Sequence, residues 1–223
     1  VEKEEILARG ADLLGISLES EQIDTLIRYS QEVQRWNQRI RLTSIQDERE
    51  FMIKHCLDSL AYAKGFVPLT GMRVMDVGAG AGFPGVPLKI WFPPMSLILV
   101  DASHKKTAFL QHIIRTLGLK DVSVVTERVE ALPAHHSQIA QIEMMDLIVT
   151  RALSATEKIA RWVEPLLKKD GRLLISKGPD ILREKRAFED KVPLGGMFVR
   201  EILSFTLPFS TYQRNLVILQ KGS

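Results

Sequence analysis

The stretch Val74 to Gly85, reading Val-Met-Asp-Val-Gly-Ala-Gly-Ala-Gly-Phe-Pro-Gly, restricts the possible folds more than any other part of the chain. Arg73 to Val77 is short and rich in β-branched residues, as expected of a parallel strand buried on both faces. Glycines at positions 78, 80, 82 and 85 follow at once. Glycine suits backbone at positive φ and backbone that a ligand approaches closely. Pro84 and Pro87 stand where a first helical turn tolerates a missing N–H. Strand, glycine turn and helix start together offer backbone N–H groups to a polar or anionic ligand.

The glycine spacing discriminates between ligands. A dinucleotide-binding turn needs G-x-G-x-x-G, and counted from Gly78 its third glycine falls on Phe83. What stands here is Asp-x-Gly-x-Gly-x-Gly, opened by Asp76. It resembles motif I of the class I S-adenosylmethionine methyltransferases. That resemblance implies a loop receiving the amino-acid end of the cofactor rather than a pyrophosphate.

A chain of 223 residues suits one α/β domain plus a modest extension. The break falls near residue 70: a helical extension over 1–70, then a cofactor-binding domain over 71–223. The net charge of +3 is unevenly spread. Residues 1–70 carry 9 Lys/Arg against 12 Asp/Glu, and the remainder 21 against 15, so the basic excess lies on the cofactor-binding half. That balance admits a polyanionic partner. One cysteine, Cys56, excludes an intrachain disulfide, and no apolar run approaches membrane-spanning length, so a cytoplasmic location is expected.

Helical periodicity dominates the first 70 residues. Glu4 to Leu14 is closed by Gly15, and Ser20 is the expected N-cap of a helix running to about Arg39. Ile23, Leu26, Ile27 and Val33 form its apolar face, while Arg28, Arg35 and Arg39 share another, a candidate phosphate-facing edge. A third helix is expected from about Asp47 to Lys64. Its polar stripe of His55, Asp58, Ser59 and Tyr62 borders the active site, faces solvent or packs as a hydrogen-bonded seam. His55 has no Cys or His partner at ligand spacing, so no metal is expected.

Beyond Gly71 the pattern alternates strand and helix, which argues for βαβ units and a parallel sheet. Leu97 to Asp101 is the second strand. Asp101 closes it 23 residues after Gly78, where a doubly wound fold places the acid that binds ribose hydroxyls. Ser103 is placed beside it, as the cap of the next helix and a cofactor-binding position. Lys105 and Lys106 on that helix's first turn oppose its dipole, a hint that they serve a ligand. Val122 to Thr126 is the third strand, followed by Glu127-Arg128-Val129-Glu130, and a residue just past that strand is well placed to meet an adenine. Ala134 to Glu143, with His135 and His136, reads as a polar connection. The fourth strand, Asp146 to Thr150, delivers Arg151 at its carboxyl end, and Arg172 to Ser176 delivers Lys177. A charged helix over Asp180 to Asp190 and two strands, Met197 to Leu207 and Arg214 to Gln220, complete the chain.

Trp36-Asn37, Leu42-Thr43, Lys54-His55 and Leu57-Asp58-Ser59-Leu60 precede Gly80-Ala81-Gly82-Phe83-Pro84-Gly85, Val100-Asp101, Lys105-Lys106, Phe109-Leu110, Arg128-Val129-Glu130, Arg151-Ala152 and Lys177-Gly178. In that order the chain resembles the bacterial small-subunit ribosomal RNA guanine-N7 methyltransferases. The resemblance implies a class I, Rossmann-like α/β fold: a mostly parallel seven-stranded sheet with helices on both faces and an N-terminal helical extension. It implies S-adenosylmethionine as cofactor and small-subunit ribosomal RNA as partner, within the small ribosomal subunit. It places cofactor contacts at Gly78, Phe83, Val129, Glu130 and Arg151, beside Gly80 and Asp101 of the loop and second strand. Arg151 and Lys177 become positioning candidates, and Arg28, Arg35, Arg39, Lys105 and Lys106 candidate RNA contacts. No general base is expected, because guanine N7 carries no proton to remove. The other readings are a class I methyltransferase for another RNA or a small molecule, a nicotinamide-dependent oxidoreductase, and a cofactor-binding RNA scaffold.

Overall fold

A computed structural model describes residues 2–135, 144–151, 155–178 and 196–222. His136, Ala152 and the expected helix over Asp180 to Asp190 lie outside them. Two helices open the chain, α1 (Glu2–Leu13) and α2 (Ser20–Asn37). A longer helical run follows in four pieces: α3 (Glu48–Phe51), a π-helical segment (Met52–Leu57), α4 (Asp58–Leu60) and a 3-10 turn (Ala61–Gly65). Strand and helix then alternate through β1 (Arg73–Val77), α5 (Gly85–Trp91), β2 (Ser96–Asp101), α6 (His104–Leu117) and β3 (Val122–Thr126). The turn Val129–Ala131, α7 (Leu132–His135), β4 (Met145–Arg151), α8 (Thr156–Val163) and β5 (Leu167–Lys177) come next. β6 (Met197–Thr206) and β7 (Gln213–Lys221) close the sheet.

The seven strands stand in the order β3-β2-β1-β4-β5-β7-β6. β3, β2, β1, β4 and β5 pair in parallel, and β7 enters antiparallel between β5 and β6. Strand order reverses between β1 and β4, and a crevice outside the carboxyl ends of the strands at that point is where such sheets bind ligands.

Period-two alternation decides which side chains meet which layer. Val74, Leu97, Leu99, Leu174, Leu216 and Ile218 face a core shared with Leu7, Leu26, Val33, Leu57 and Leu60 of the N-terminal helices and with Phe109 and Leu110 of α6. Met75, Val77, Ile98, Val100, Leu173, Ile175 and Val217 face the opposite core, closed by Leu132, Ile159, Ala160 and Val163. The N-terminal helices thus cover one face of the sheet. None of the described helices is long and apolar enough to cross a membrane.

Four local expectations are corrected. The N-cap of α2 is Glu19, not Ser20, because Gln22 reaches back to accept from the Glu19 N–H at 2.9 Å while its amide donates to the Ile90 and Trp91 carbonyls. α2 ends at Asn37, so Arg39 sits in the turn beyond it, with its N–H on the Trp36 carbonyl. Ser103 holds the cap position of α6, but its hydroxyl does not cap; its N–H instead donates to Asp101 Oδ1 at 2.9 Å. The third helix is not regular. A π turn widens it, the Asp58 N–H reaches back to the Ile53 carbonyl, and the Ser59 hydroxyl donates to the His55 carbonyl at 2.6 Å.

Candidate active site

The glycine loop leaves β1 with positive φ at Gly78 (71°), Gly80 (60°) and Gly82 (101°). It is tied to the second strand twice: Ala79 N–H donates to the Val100 carbonyl at 2.9 Å, and Gly80 N–H to Asp101 Oδ2 at 3.0 Å. Asp101 therefore uses both oxygens at the strand tips, one on the loop and one on Ser103. Lys106 stands 3.9 Å from its Oδ2. Asp76, fully buried in β1, accepts from the Gly85 N–H at 2.7 Å, while its Oδ1 has no hydrogen-bond partner among the described residues. Burial pushes this carboxyl up to about 7, against the pull of the Gly85 hydrogen bond and the Arg151 charge.

Glycine serves two purposes in this loop. A Cβ at Gly80 meets only the Gly78 carbonyl at 3.8 Å, so its φ is the constraint and the space above it is open. At Gly85 a Cβ would lie 2.8 Å from Asp76 Oδ2 and from Leu99, and at Gly82 2.9 Å from the Tyr29 hydroxyl. Those two glycines admit close packing. The N-terminal helices reach the loop directly, with the Tyr29 hydroxyl donating to the Ala81 carbonyl at 2.5 Å.

Phe83, buried at the end of the loop, joins the loop to a second set of residues. The His55 ring stacks on it at 4.4 Å with an interplanar angle of 10°, and the Arg151 guanidinium lies 5.2 Å from its centroid. Arg151 donates to His55 Nδ1 (3.1 Å) and to the Lys54 carbonyl (3.2 Å). A guanidinium only donates, so Nδ1 accepts and the ring proton sits on Nε2, which faces Thr43 Oγ1 at 2.7 Å. Burial first, then the Arg151 charge, lowers His55 to about 3 and keeps it neutral. Asp58, 3% exposed, receives Arg214 Nε on Oδ1 at 3.0 Å and faces Arg151 Nη1 with Oδ2 at 3.6 Å. Burial raises its carboxyl, with Arg214 and then Arg151 pulling it back. Tyr62 closes the arrangement, donating to the Thr150 carbonyl at 2.6 Å and accepting from the Ser176 N–H at 3.1 Å. The polar stripe is thus a buried seam that borders the strand tips.

His55, Asp58, Arg151 and Arg214 line a cleft of about 290 Å³ with Ile45, Lys54, Ser176, Lys177 and Gly178. Lys54, Arg151, Lys177 and Arg214 make it basic, with Asp58 its acidic member. The structure therefore brings Gly80, Asp101 and Ser103 together, and Arg151 and Lys177 onto the adjoining cleft, with Phe83 packed behind His55 and Arg151. Asp101 pairs with Thr126 in register, which puts the turn bearing buried Val129 and exposed Glu130 beside the same tips. The arginine edge stays on the surface: Arg28, Arg35 and Arg39 are exposed, and Arg35 pairs with Glu32 at 2.7 Å. Arg214 was legible only as the start of a strand. Nothing near it in the chain marks it, because its partner Asp58 lies 156 residues earlier.

The model of the family described as rRNA small subunit methyltransferase G matches residues 22–217. The chain belongs to that family. It is 35% identical over 219 residues to "Ribosomal RNA small subunit methyltransferase G" of Acetivibrio thermocellus, covering 97% of this chain and 87% of that one. To the protein of the same name from Geotalea uraniireducens it is 38% identical over 216 residues, covering 97% and 95%. Among solved structures, a SAM dependent methyltransferase from Aquifex aeolicus superposes with a TM-score of 0.57 at 19% identity, covering 76% of this chain and 92% of that one. The fold is that of the class I methyltransferases, and the protein is an S-adenosylmethionine-dependent ribosomal RNA methyltransferase.

Proposed function

We propose that the protein methylates N7 of one guanine in small-subunit ribosomal RNA, presented by the small ribosomal subunit in the cytoplasm. The observation that carries this reading is the contact through Phe83, which sets a glycine loop suited to the cofactor directly against a basic cleft suited to RNA. The loop fits the cofactor on its own chemistry. Asp76 keeps a buried oxygen without a partner among the described residues, Gly80 leaves open space, and Asp101 ends the second strand as an acceptor. Gly78, Gly80, Phe83, Asp101, Ser103, Val129, Glu130 and Arg151 would hold it. When bound, S-adenosylmethionine supplies an electrophilic methyl group with a good leaving group.

What is left for the chain is alignment and exclusion of water. N7 is an in-plane lone pair without a proton, so no residue has to act as a base. His55 fits that requirement, since both its ring nitrogens are engaged and burial keeps it neutral. Arg151 and Lys177 are the groups placed to orient the base or its phosphate, Arg through a planar fork that matches guanine O6 or phosphate. Orientation alone can supply about 7–11 kcal/mol of barrier reduction. Because N7 lies on the major-groove edge, the guanine is reached in an opened or flipped conformation. Arg28, Arg35, Arg39, Lys105 and Lys106 would track phosphates farther out.

The test incubates the protein and labelled cofactor with small subunits from a strain lacking the enzyme, then maps methylation by mass spectrometry. A single N7-methylguanine in the small-subunit RNA is expected. Label in another RNA, at another atom or in a small molecule overturns the reading, and tight NAD binding with none of the sulfur cofactor overturns the cofactor assignment.

A further inference from the structure

Among the described residues that line the cleft, Asp58 is the one whose charge opposes RNA, and its geometry gives it a task. At 3% exposure it shows the cleft little surface, its oxygens are turned to two arginines, and N7 methylation offers a carboxylate no proton to take. As a purely structural group it is a poor choice, since a buried charge costs desolvation that an apolar residue of similar size avoids. Its two oxygens are divided between two arginines from distant strands, Arg214 of β7 and Arg151 of β4. The division is uneven. Arg214 is pinned through Nε at 3.0 Å and steadied by Nη1 on the Gln213 carbonyl at 3.1 Å. Arg151 is the looser arm at 3.6 Å; among the described residues it also donates to the His55 ring and the Lys54 carbonyl and lies over Phe83.

We propose that Asp58 is a positioning residue for methyl transfer, a buried carboxylate that holds the Arg151 and Arg214 guanidinium groups at a set separation on the wall of the cleft. Without it two like charges face each other across the site with Lys54 and Lys177 close by, and the arginines splay. With it, Arg214 is a fixed post, and Arg151 can turn toward an incoming phosphate or base edge without leaving the ring of Phe83. The carboxylate thus trades RNA affinity for aim. This inference rests on the reading of the cleft as the RNA side of the active site.

Asp58→Asn keeps the shape and removes the charge. The expected result is a kcat on small subunits at least tenfold lower, with the KM for subunits unchanged within about threefold or lowered, and cofactor affinity within about twofold of wild type. Asp58→Glu, which restores the charge, should recover most of the rate. In an Arg214→Ala background, Asp58→Asn should cost only about threefold, because part of its action runs through Arg214. A raised KM with normal kcat, or normal kcat in a less stable protein, overturns the proposal. If Asp58→Asn does not fold, Arg214→Lys decides it: that variant keeps the charge but loses the Nε bond, and normal kcat in it also overturns the proposal. The wild-type product is mapped in the same experiment. Methylation at another atom or nucleotide would refute the assigned substrate, while the kcat ratio between variant and wild type would still report on Asp58.

Discussion

The loop on one side of Phe83 and the cleft on the other are built from different materials. Backbone does most of the work in the loop: Ala79 on Val100, Gly80 on Asp101, Gly85 on Asp76, with positive φ at three glycines. Nearly all its parts come from residues 76–103. The cleft is assembled from charged and aromatic side chains on the third helical run, β4, β5 and β7, joined by hydrogen bonds that span 96 and 156 residues. A loop held by its backbone donors tolerates changes of side chain except at the Asp76 and Asp101 carboxylates and where φ or packing forbids them. A cleft held by paired charges depends on every partner, because removing one strands another.

The sharpest test of that contrast is Gly80→Val. The new Cβ meets only the Gly78 carbonyl, at 3.8 Å, but the residue must adopt a φ of about 60°. Cofactor affinity should fall at least about 100-fold, some 2.7 kcal/mol, with fold and RNA binding retained. Calorimetry and a subunit-binding assay check it, and normal affinity would move the cofactor away from the loop.

Arg151→Ala attacks the other side. Turnover should drop at least about tenfold, equivalent to roughly 1.4 kcal/mol, with stability lowered by about 1–3 kcal/mol as His55 and Asp58 lose a donor. Arg151→Lys should recover only part, since it keeps charge without the fork. Single-turnover rates and melting temperatures on both variants decide it, and full activity in the alanine variant would remove Arg151 from the chemistry.

His55 ties the cleft's integrity to pH. Its proton affinity is depressed from 6.5 to about 3 in the fold, so the unfolded chain binds the proton first as pH falls. The stability this neutral ring contributes is complete above about pH 6.5 and is lost on acidification toward pH 3, by at most about 1.4 kcal/mol per pH unit. The stability advantage of wild type over His55→Gln should therefore shrink between pH 6.5 and 4 in denaturant titrations. A constant difference would mean that the ring is not held neutral.

The smallest effect is expected far from both halves. Neutralising Arg28, Arg35 and Arg39 together should leave cofactor affinity untouched and flatten the salt dependence of subunit binding, by no more than about three units of slope. Glu32 already offsets Arg35, which argues for less. An unchanged slope would make this edge ordinary solvated surface.

Most of the loop was legible in advance because its requirements are local. Asp76, Gly78 and Gly80 lie within five residues and Asp101 one strand later, so spacing marked them, while Phe83 was named by the family resemblance. The cleft was legible in fragments. Arg151 and Lys177 follow from the rule that strand ends carry function, and His55 and Asp58 could be marked as a polar stripe whose direction was open. Arg214 could not be found, because a lone arginine opening a late strand looks the same whether it meets solvent or a buried carboxylate. The cap of α2 was misplaced by one residue because Gln22, not Ser20, satisfies the helix start.

By itself the sequence determined the alternation of buried strands and helices, the parallel core of the sheet, the glycine turn and the kind of ligand it takes. Each depends on residues within about one supersecondary unit, where periodicity and spacing carry the physics. Only the tertiary structure decided that β7 runs antiparallel beside β5, that a π turn faces His55 and Asp58 toward the strand tips, and that one buried carboxylate holds two arginines. Those outcomes turn on which distant charges escape water together. Desolvation depends on what surrounds a group in space, and neighbours along the chain do not encode it.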